Sequence, residues 1–295
     1  CDATFRDNTP LTVGQAGQAM RDYDAIIPTL GDAFGAEAFQ GDLRCRLLAN
    51  FGAGFNHIDI AAARAAGVAV TNTPDVVTDA TADIALTLML MVLRRASEGE
   101  RLLRAGGWTG WNPTQLLGAE MSGRTVGIVG MGRIGQAIAR RAHLGFGMEV
   151  VFFNRSTVAG LEFPARQIGD LRAMLAACDV AVIAVPGGAA TRGLIGAAEL
   201  EALGPQGVLV NIARGDVVDE DALIAALVDG RIAGAGLDVY AREPHVPQAL
   251  LDAPNATLLP HLGTATDDTR TRMGLRALAN LQAHIDGGVL PDLVR

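Results

Sequence analysis

Apolar residues along this chain fall into two blocks of alternating short runs. Between residues 23 and 75 the strand-like stretches "DAIIPT", "RLLANFG" and "VAVTNTP" alternate with helical sequence such as "DIAAARAAG", each bounded by Gly, Pro or Asn. Strands that alternate with helices are joined by crossovers, so they lie side by side in a parallel sheet. From Thr78, "TDATADIALTLMLMVLRRASEGERLLRAGG" has helix-start residues, then a long apolar stretch, then charge, and it predicts one long helix. "GWTGWNPTQLLG" breaks that pattern with Trp108, Trp111 and Pro113, and the domain boundary is placed just before it. Six further strand candidates follow: "TVGIVG", "EVVFFN", "DVAVIAVP", "GVLVNIA", "AGAGLDVY" and "ATLLPH". Asp267 to Gly287 predicts an amphipathic helix that returns to the first domain. The expected architecture is α/β with two doubly wound parallel-sheet domains. Residues 1–97, completed by a C-terminal helix in 265–295, form one, and residues 98–264 form the other.

Composition narrows the chemistry. At 295 residues there is enough chain for two cores, and 49% hydrophobic with 4% aromatic residues fits an Ala/Val/Leu-rich α/β protein. A net charge of -8 gives no reason to expect nucleic acid as a partner, because neutralising phosphates needs clustered cations. All 24 basic residues are arginine. Chemistry that rests on a lysine amine is thereby excluded: a Schiff base, a pyridoxal phosphate linkage, a P-loop lysine or a Tyr/Lys dehydrogenase pair. Cys1, Cys45 and Cys178 are odd in number and form no CxxC, so neither a disulfide framework nor a zinc or other metal site is expected. The longest apolar run, Ile84 to Leu93, falls well short of the roughly twenty residues that cross a bilayer. With no signal segment visible either, a soluble cytoplasmic protein without a membrane partner is expected. The opening at Cys1, without methionine and directly into strand-like sequence, raises the expectation that an upstream piece has been removed.

Gly130, Gly132 and Gly135 form a GxGxxG turn that directly follows the apolar strand Thr125 to Val129 and opens the helix "RIGQAIARRAH". The first glycine makes the tight turn, the second lets the backbone approach a pyrophosphate, and the third allows close packing of the helix. A structural Gly-rich turn is the plain alternative; the strand-turn-helix setting with further strands behind it favours dinucleotide binding. About twenty residues on, where NAD enzymes carry an acidic residue for the ribose hydroxyls, the chain has Asn154, Arg155 and Ser156. Arg155 could pair with a 2'-phosphate in bidentate fashion and Ser156 could donate to it, which favours NADP(H), with NAD(H) still possible. The alternative is that Arg155 is a surface residue with adenine stacked on it.

"NIARGD", "LDVYAREP" and "LLPHLGTAT" place polar groups near the ends of later strands, where open α/β sheets bind ligands. Reducing a carbonyl beside a carboxylate needs a cation to hold the acid, a proton donor for the developing alkoxide and a partner for that donor. Arg214, His261 and Glu243 are the residue types for those tasks. Singly they read as a capping arginine, a core histidine and a loop charge before Pro244; together on successive strand ends they read as catalytic. His57, His143, His245 and His284 are read as structural or surface residues.

The chain resembles the D-isomer-specific 2-hydroxyacid dehydrogenase family, in its glyoxylate/hydroxypyruvate reductase-like branch. The blocks "NFGAGFNHID", "VTNTPDVVTDATAD", "GIVGMGRIGQAIARR", "NIARGDVVDEDALIAAL", "AGAGLDVYAREP" and "PHLGTAT" carry the resemblance, in order and nearly end to end. It implies that residues 98–264 are an NAD(P)-binding Rossmann domain, that the other domain binds substrate, and that the active site lies in the cleft between them. It further implies that Arg214 meets the substrate carboxylate and carbonyl, that His261 donates the proton and that Glu243 holds the His261 imidazole. Backbone amides of Phe51, Gly52, Ala53 and Gly54 would hold the substrate carboxylate. Asp238 would meet the nicotinamide carboxamide. Thr81, Arg133, Ile134, Pro186, Thr191, Ile212, Ala213 and Gly263 would join the glycines and residues 154–156 around the cofactor.

The activity implied is NADPH-dependent reduction of small 2-oxo acids, glyoxylate or hydroxypyruvate, to 2-hydroxy acids. Alternatives are an NAD-linked D-lactate-like or formate dehydrogenase, and a dinucleotide-sensing corepressor on the same fold. One departure stands out: the strand and helix with which family members usually begin are not found upstream of Asp2; the lack of a C-terminal regulatory domain is, by contrast, what the resemblance to this branch leads one to expect. A homodimer is expected, with the helix Thr78 to Arg95 and the tryptophan segment at the contact, because a ten-residue stretch that is apolar but for Thr87 and two tryptophans would otherwise form an exposed patch.

Overall fold

A computed structural model describes residues 2–7 and 9–294; Cys1, Asn8 and Arg295, and with them the expectation resting on Cys1, lie outside the described residues. The chain divides into two units, Cys1–Val77 with Thr266–Arg295, and Thr78–Ala265.

In the first unit α1 (Val13–Asp22), β1 (Ala25–Ile26), β2 (Leu47–Ala49), α2 (Ile60–Ala65) and β3 (Ala69–Thr71) build a parallel sheet of order β1-β2-β3. The three segments read as strands become these strands, and "DIAAARAAG" becomes α2, capped by the Asp59 side chain on the Ala62 amide. Side chains alternate across a strand, and both faces of β2 are covered. Leu48 packs with Ala16, Met20 and Phe34 on one face; Leu47 and Ala49 pack with Ala277 on the other. Ala277 belongs to the C-terminal helix Asp267–Ile285, which completes this unit. The opening stretch forms no strand among its described residues. α1 has no counterpart in the sequence reading, because its buried residues, Ala16, Gly17 and Met20, include two too small to register as an apolar stripe.

The second unit begins with α3 (Thr78–Leu93) and α4 (Ala96–Arg104) and continues through β4 (Thr125–Val129), α5 (Arg133–Phe146), β5 (Glu149–Phe153), β6 (Arg166–Gln167), α6 (Leu171–Leu175), β7 (Val180–Ile183), α7 (Ala197–Leu203), β8 (Val208–Asn211), α8 (Glu220–Val228), β9 (Gly234–Leu237), α9 (Gln248–Asp252) and β10 (Ala256–Leu258). Its seven strands are parallel, in the order β10-β9-β8-β7-β4-β5-β6. The order reverses between β4 and β7, so the glycine turn after β4 sits where open sheets of this kind bind dinucleotides. Six of these strands are the six expected ones. The seventh, β6, is a two-residue edge strand of Arg and Gln with no apolar signal.

Two expectations are corrected here. The long helix predicted from Thr78 is broken: α3 ends at Leu93, Arg95 takes a left-handed conformation (φ 50°), and α4 starts at Ala96. The Leu93 carbonyl accepts from the Ala119 amide at 2.8 Å, and a side chain on Gly118 would lie 2.2 Å from that oxygen. A returning segment therefore occupies the carbonyl that a continuing helix would use. The second correction concerns the boundary, expected at residue 97 but found between Val77 and Thr78. α3 buries Ala82, Ala85, Leu86, Leu88 and Met89 against the core of the seven-stranded sheet, and Arg141 of α5 pairs with its Asp79 and Asp83. The run Ile84–Leu93 is thus used in internal packing, which removes the ground for placing that helix in a subunit contact.

No described helix is long and apolar enough to cross a membrane. Cys45 and Cys178 are free, and burial pushes their thiols up to about 11 and about 12, so neither is poised as a nucleophile.

Candidate active site

Three strand ends deliver the candidate catalytic side chains. After β8 the Asn211 side chain shapes the turn: its Nδ2 donates to the Arg214 carbonyl at 2.9 Å and its Oδ1 accepts from the Ala213 amide at 3.0 Å. Ile212 and Ala213 are buried there, and half-buried Arg214 donates through Nη1 to the Ala213 carbonyl at 2.6 Å. A Cβ on the next residue, Gly215, would lie 1.8 Å from the Tyr240 carbonyl carbon. Only the missing side chain lets the β8 turn abut the Tyr240–Glu243 turn that follows β9.

Glu243 is held at both oxygens. Oε1 accepts from the Tyr240 amide at 3.0 Å, and Oε2 lies 2.7 Å from His261 Nδ1. His261 follows β10 in the left-handed region (φ 55°), an uncommon conformation for a non-glycine residue, fixed by its amide donating to the Asp238 carbonyl at 2.9 Å. The buried Asp238 carboxylate accepts from the amides of Leu262 at 2.6 Å and Gly263 at 2.8 Å. Thr81 of α3 donates to the Gly263 carbonyl at 3.1 Å. One network therefore joins Arg214, Asp238, Glu243, His261, Gly263 and Thr81.

The electrostatics follow from this packing. Burial works to raise the Glu243 pKa, but the His261 hydrogen bond and charge, the Tyr240 amide and Arg214 together hold it below its ordinary value. Glu243 is therefore a carboxylate at neutral pH; it accepts the Nδ1 proton of His261 and leaves Nε2 as the nitrogen that can hand over a proton. Burial pulls the Arg214 pKa down while Glu243 and Asp216 hold it up, and the guanidinium stays charged. Burial raises Asp238 against its two amide donors.

The second cluster surrounds the glycine turn. Gly130 has φ 100°, and a Cβ there would lie 2.8 Å from the Ala184 carbonyl; one on Gly135 would lie 2.2 Å from the Gly130 carbonyl. A Cβ on Gly132 would meet nothing within 4 Å, so that side of the turn is open to a ligand. Gly132 also supplies no side-chain cap to α5, whose first turn is formed by Arg133, Ile134 and Gly135. Asn154, just past β5, accepts the Met131 amide through Oδ1 at 3.2 Å and donates through Nδ2 to the Ser156 carbonyl and hydroxyl. Arg155 is exposed and makes no hydrogen bond or ion pair among the described residues. Past β7, the Thr191 hydroxyl donates to the Pro186 carbonyl at 2.6 Å, closing that loop. The cradle, with its small turn, its open face and a helix start whose Gly132 N-cap supplies no side chain, fits a nicotinamide dinucleotide. Among the described residues no group of three or more His, Cys, Asp or Glu side chains is arranged to hold a metal.

Phe51, Gly52, Ala53 and Gly54 follow β2 in the first unit; contrary to expectation the Phe51 and Gly52 amides are already engaged, donating to the Pro28 carbonyl at 2.9 Å and the Asn50 carbonyl at 3.0 Å, whereas the Ala53 and Gly54 amides donate to no acceptor among the described residues. The Phe51 ring lies under the Arg270 guanidinium, 6.0 Å from its centroid.

Asn211, Gly215, Tyr240 and Gln167 all support these sites, and none was picked out in the sequence. Gln167, on β6, donates to the carbonyls of Asn154 and Ser156 and accepts the Val158 amide. Asn211 and Gly215 do stand within "NIARGD", where the strand end could have marked them; nothing in the sequence marks Gln167.

Residues 86–263 match the family model described as the D-isomer specific 2-hydroxyacid dehydrogenase, NAD binding domain. A glyoxylate reductase of Thermococcus gammatolerans is 42% identical over 282 residues, covering 94% of this chain and 84% of that protein. The solved NADPH-dependent glyoxylate/hydroxypyruvate reductase of Sinorhizobium meliloti, in complex with NADP and malonate, superposes with a TM-score of 0.86 at 42% identity, covering 93% of this chain and 85% of that one. The TT0316 protein of Thermus thermophilus superposes with a TM-score of 0.90 at 39% identity, covering 98% and 91%.

Proposed function

The chain belongs to the D-isomer specific 2-hydroxyacid dehydrogenase family, and from that premise we propose that it is an oxidoreductase reducing glyoxylate, hydroxypyruvate or similarly small 2-oxo acids with NADPH. The observation that carries this reading is Glu243 clamped between the Tyr240 amide and His261 Nδ1, beside the half-buried Arg214 cation. The names of the Thermococcus and Sinorhizobium relatives support the substrate class.

When bound, the reduced nicotinamide supplies a hydride to the carbonyl carbon. Arg214 offers a planar fork to the oxo acid, and its charge favours the negative charge that grows on the carbonyl oxygen. His261, protonated at both nitrogens, gives the Nε2 proton to that oxygen, so the carbonyl becomes a hydroxyl and the imidazole becomes neutral. Glu243 keeps the ring in orientation and stabilises the imidazolium before transfer. We assign the Ala53 and Gly54 amides to the substrate carboxylate and Asp238 to the nicotinamide carboxamide. The glycine turn, residues 154–156, Thr81, Pro186, Thr191, Ile212, Ala213 and Gly263 are assigned to the cofactor.

NADPH rather than NADH is inferred from Arg155 and Ser156. In a double variant Asn154→Asp, Arg155→Ala, the aspartate can still accept the Met131 amide, so the turn keeps its anchor while a positive charge is exchanged for a negative one. A charge-assisted bidentate pair contributes about 1.5 to 3 kcal/mol, so the NADPH dissociation constant should rise at least roughly tenfold while that of NADH changes little or falls. Titration of both cofactors by fluorescence measures the ratio; equal losses for both would refute the assignment.

We also infer a homodimer, through residues 96–117. α4 buries none of its side chains, and Leu103, Trp108, Trp111 and Leu117 are 59%, 52%, 82% and 64% exposed. Leu102, Leu103, Trp108 and Leu116 line an apolar hollow of about 290 Å³ that suits a side chain from a second copy. Light scattering at micromolar concentration should give twice the mass of the chain, and Trp111→Glu should shift it toward the chain mass. A monomer in the unaltered protein would contradict the inference.

A further inference from the structure

The loop after β2 has an unusual division of its peptide groups. Asn50 is fully buried, and its Nδ2 donates to two carbonyls of the loop, Gly52 at 2.9 Å and Gly54 at 3.0 Å. The carbonyl between them, that of Ala53, accepts from Asn72 Nδ2 at 2.7 Å. The Gly52 carbonyl also accepts from the Thr73 amide at 3.0 Å. Three consecutive carbonyls are thus pinned, two of them by one side chain, whereas the Ala53 and Gly54 amides have no acceptor among the described residues.

A trans peptide group is planar, with its N–H opposite its C=O. Fixing the Gly52 carbonyl therefore fixes the direction of the Ala53 N–H, and fixing the Ala53 carbonyl fixes that of the Gly54 N–H. Both neighbours of Asn50 Nδ2 are carbonyls, so the amide orientation follows from the network, with the NH2 end toward the loop. The loop sits close on this side chain: a Cβ on Gly52 would lie 3.4 Å from Asn50 Nδ2. The result is a pair of adjacent backbone donors held in place before any anion arrives, which is what recognition of a carboxylate requires.

We propose that Asn50, together with Asn72, is a positioning residue for the substrate carboxylate: the two side-chain amides draw the loop carbonyls to themselves and thereby present the Ala53 and Gly54 N–H groups as a preorganised anion nest. This rests on the reading above that the loop holds a 2-oxo acid. Neither asparagine touches the substrate; without them the peptide groups can rotate and the nest loses its direction.

The test uses the full chain carrying Asn50→Ala or Asn72→Ala, with steady-state kinetics on glyoxylate, inhibition by oxamate as a carboxylate-bearing analogue, and NADPH titration. Expected are rises of about tenfold or more in both the glyoxylate KM and the oxamate Ki, larger than any fall in kcat, with the NADPH dissociation constant within about twofold of the unaltered enzyme. A merely structural role would lower kcat and cofactor binding as well, and that pattern overturns the proposal, as do KM and Ki values that stay within twofold. Because Asn50 is buried and its alanine variant could fail to fold, the half-buried Asn72 decides the matter in that event. If the unaltered enzyme turns over no 2-oxo acid, the functional reading fails and this inference goes with it; if it turns over glyoxylate and the variants match it, only the positioning role fails.

Discussion

His261→Ala is expected to lower kcat for glyoxylate reduction by about a hundredfold or more while leaving the NADPH dissociation constant within about twofold. A proton donor acts on charge that exists only in the transition state, so its removal appears in kcat and not in cofactor binding. The two proposed roles fall on different groups: the imidazole engages Glu243 through Nδ1, whereas the proposed cofactor cradle is the glycine turn and the Asn154–Ser156 loop. The left-handed backbone at position 261 is fixed by the Asp238 carbonyl, which does not involve the imidazole, so the turn survives loss of the ring. Stopped-flow and steady-state rates, paired with fluorescence titration of NADPH, check both halves. Turnover equal to that of the unaltered enzyme would remove His261 from the mechanism.

Arg214→Lys keeps the charge and is nonetheless expected to raise the KM for glyoxylate by about tenfold or more and to lower kcat as well. The guanidinium presents a rigid planar fork that matches a carboxylate at two points, and a lysine ammonium offers a point charge on a flexible stem. Arg214 also spends one donor on the Ala213 carbonyl at 2.6 Å, which fixes the fork's direction. Lysine has no second nitrogen to spare for that bond. A KM within error of the unaltered enzyme, measured at saturating NADPH, would show that the oxo acid is held elsewhere.

What the sequence revealed and what it hid follow different physics. The strands of the second unit were legible because a parallel sheet covered on both faces reads as short apolar runs, and Val208–Asn211 or Val180–Ile183 cannot easily be anything else. Arg214, Glu243 and His261 stood out as candidates because each follows the end of such a strand. The break after Leu93 was hidden, because an amide from residue 119 makes it and local sequence favours continuing the helix. The same holds for α3's place in the second unit, a matter of which sheet buries Leu88 and Met89. The supporting residues were hidden for a similar reason. Gln167 and Asn50 act through backbone carbonyls that fold back to them, and neither periodicity nor residue type announces such a contact.

The central claim, a reductase of small 2-oxo acids that uses NADPH, is tested most directly by one assay: initial rates of NADPH and of NADH oxidation in the presence of glyoxylate. Glyoxylate-dependent oxidation is expected, with kcat/KM at least roughly tenfold higher for NADPH, the margin a single charge-assisted pair at Arg155 provides. Oxidation of neither cofactor, or NADH used as well as NADPH, would contradict it.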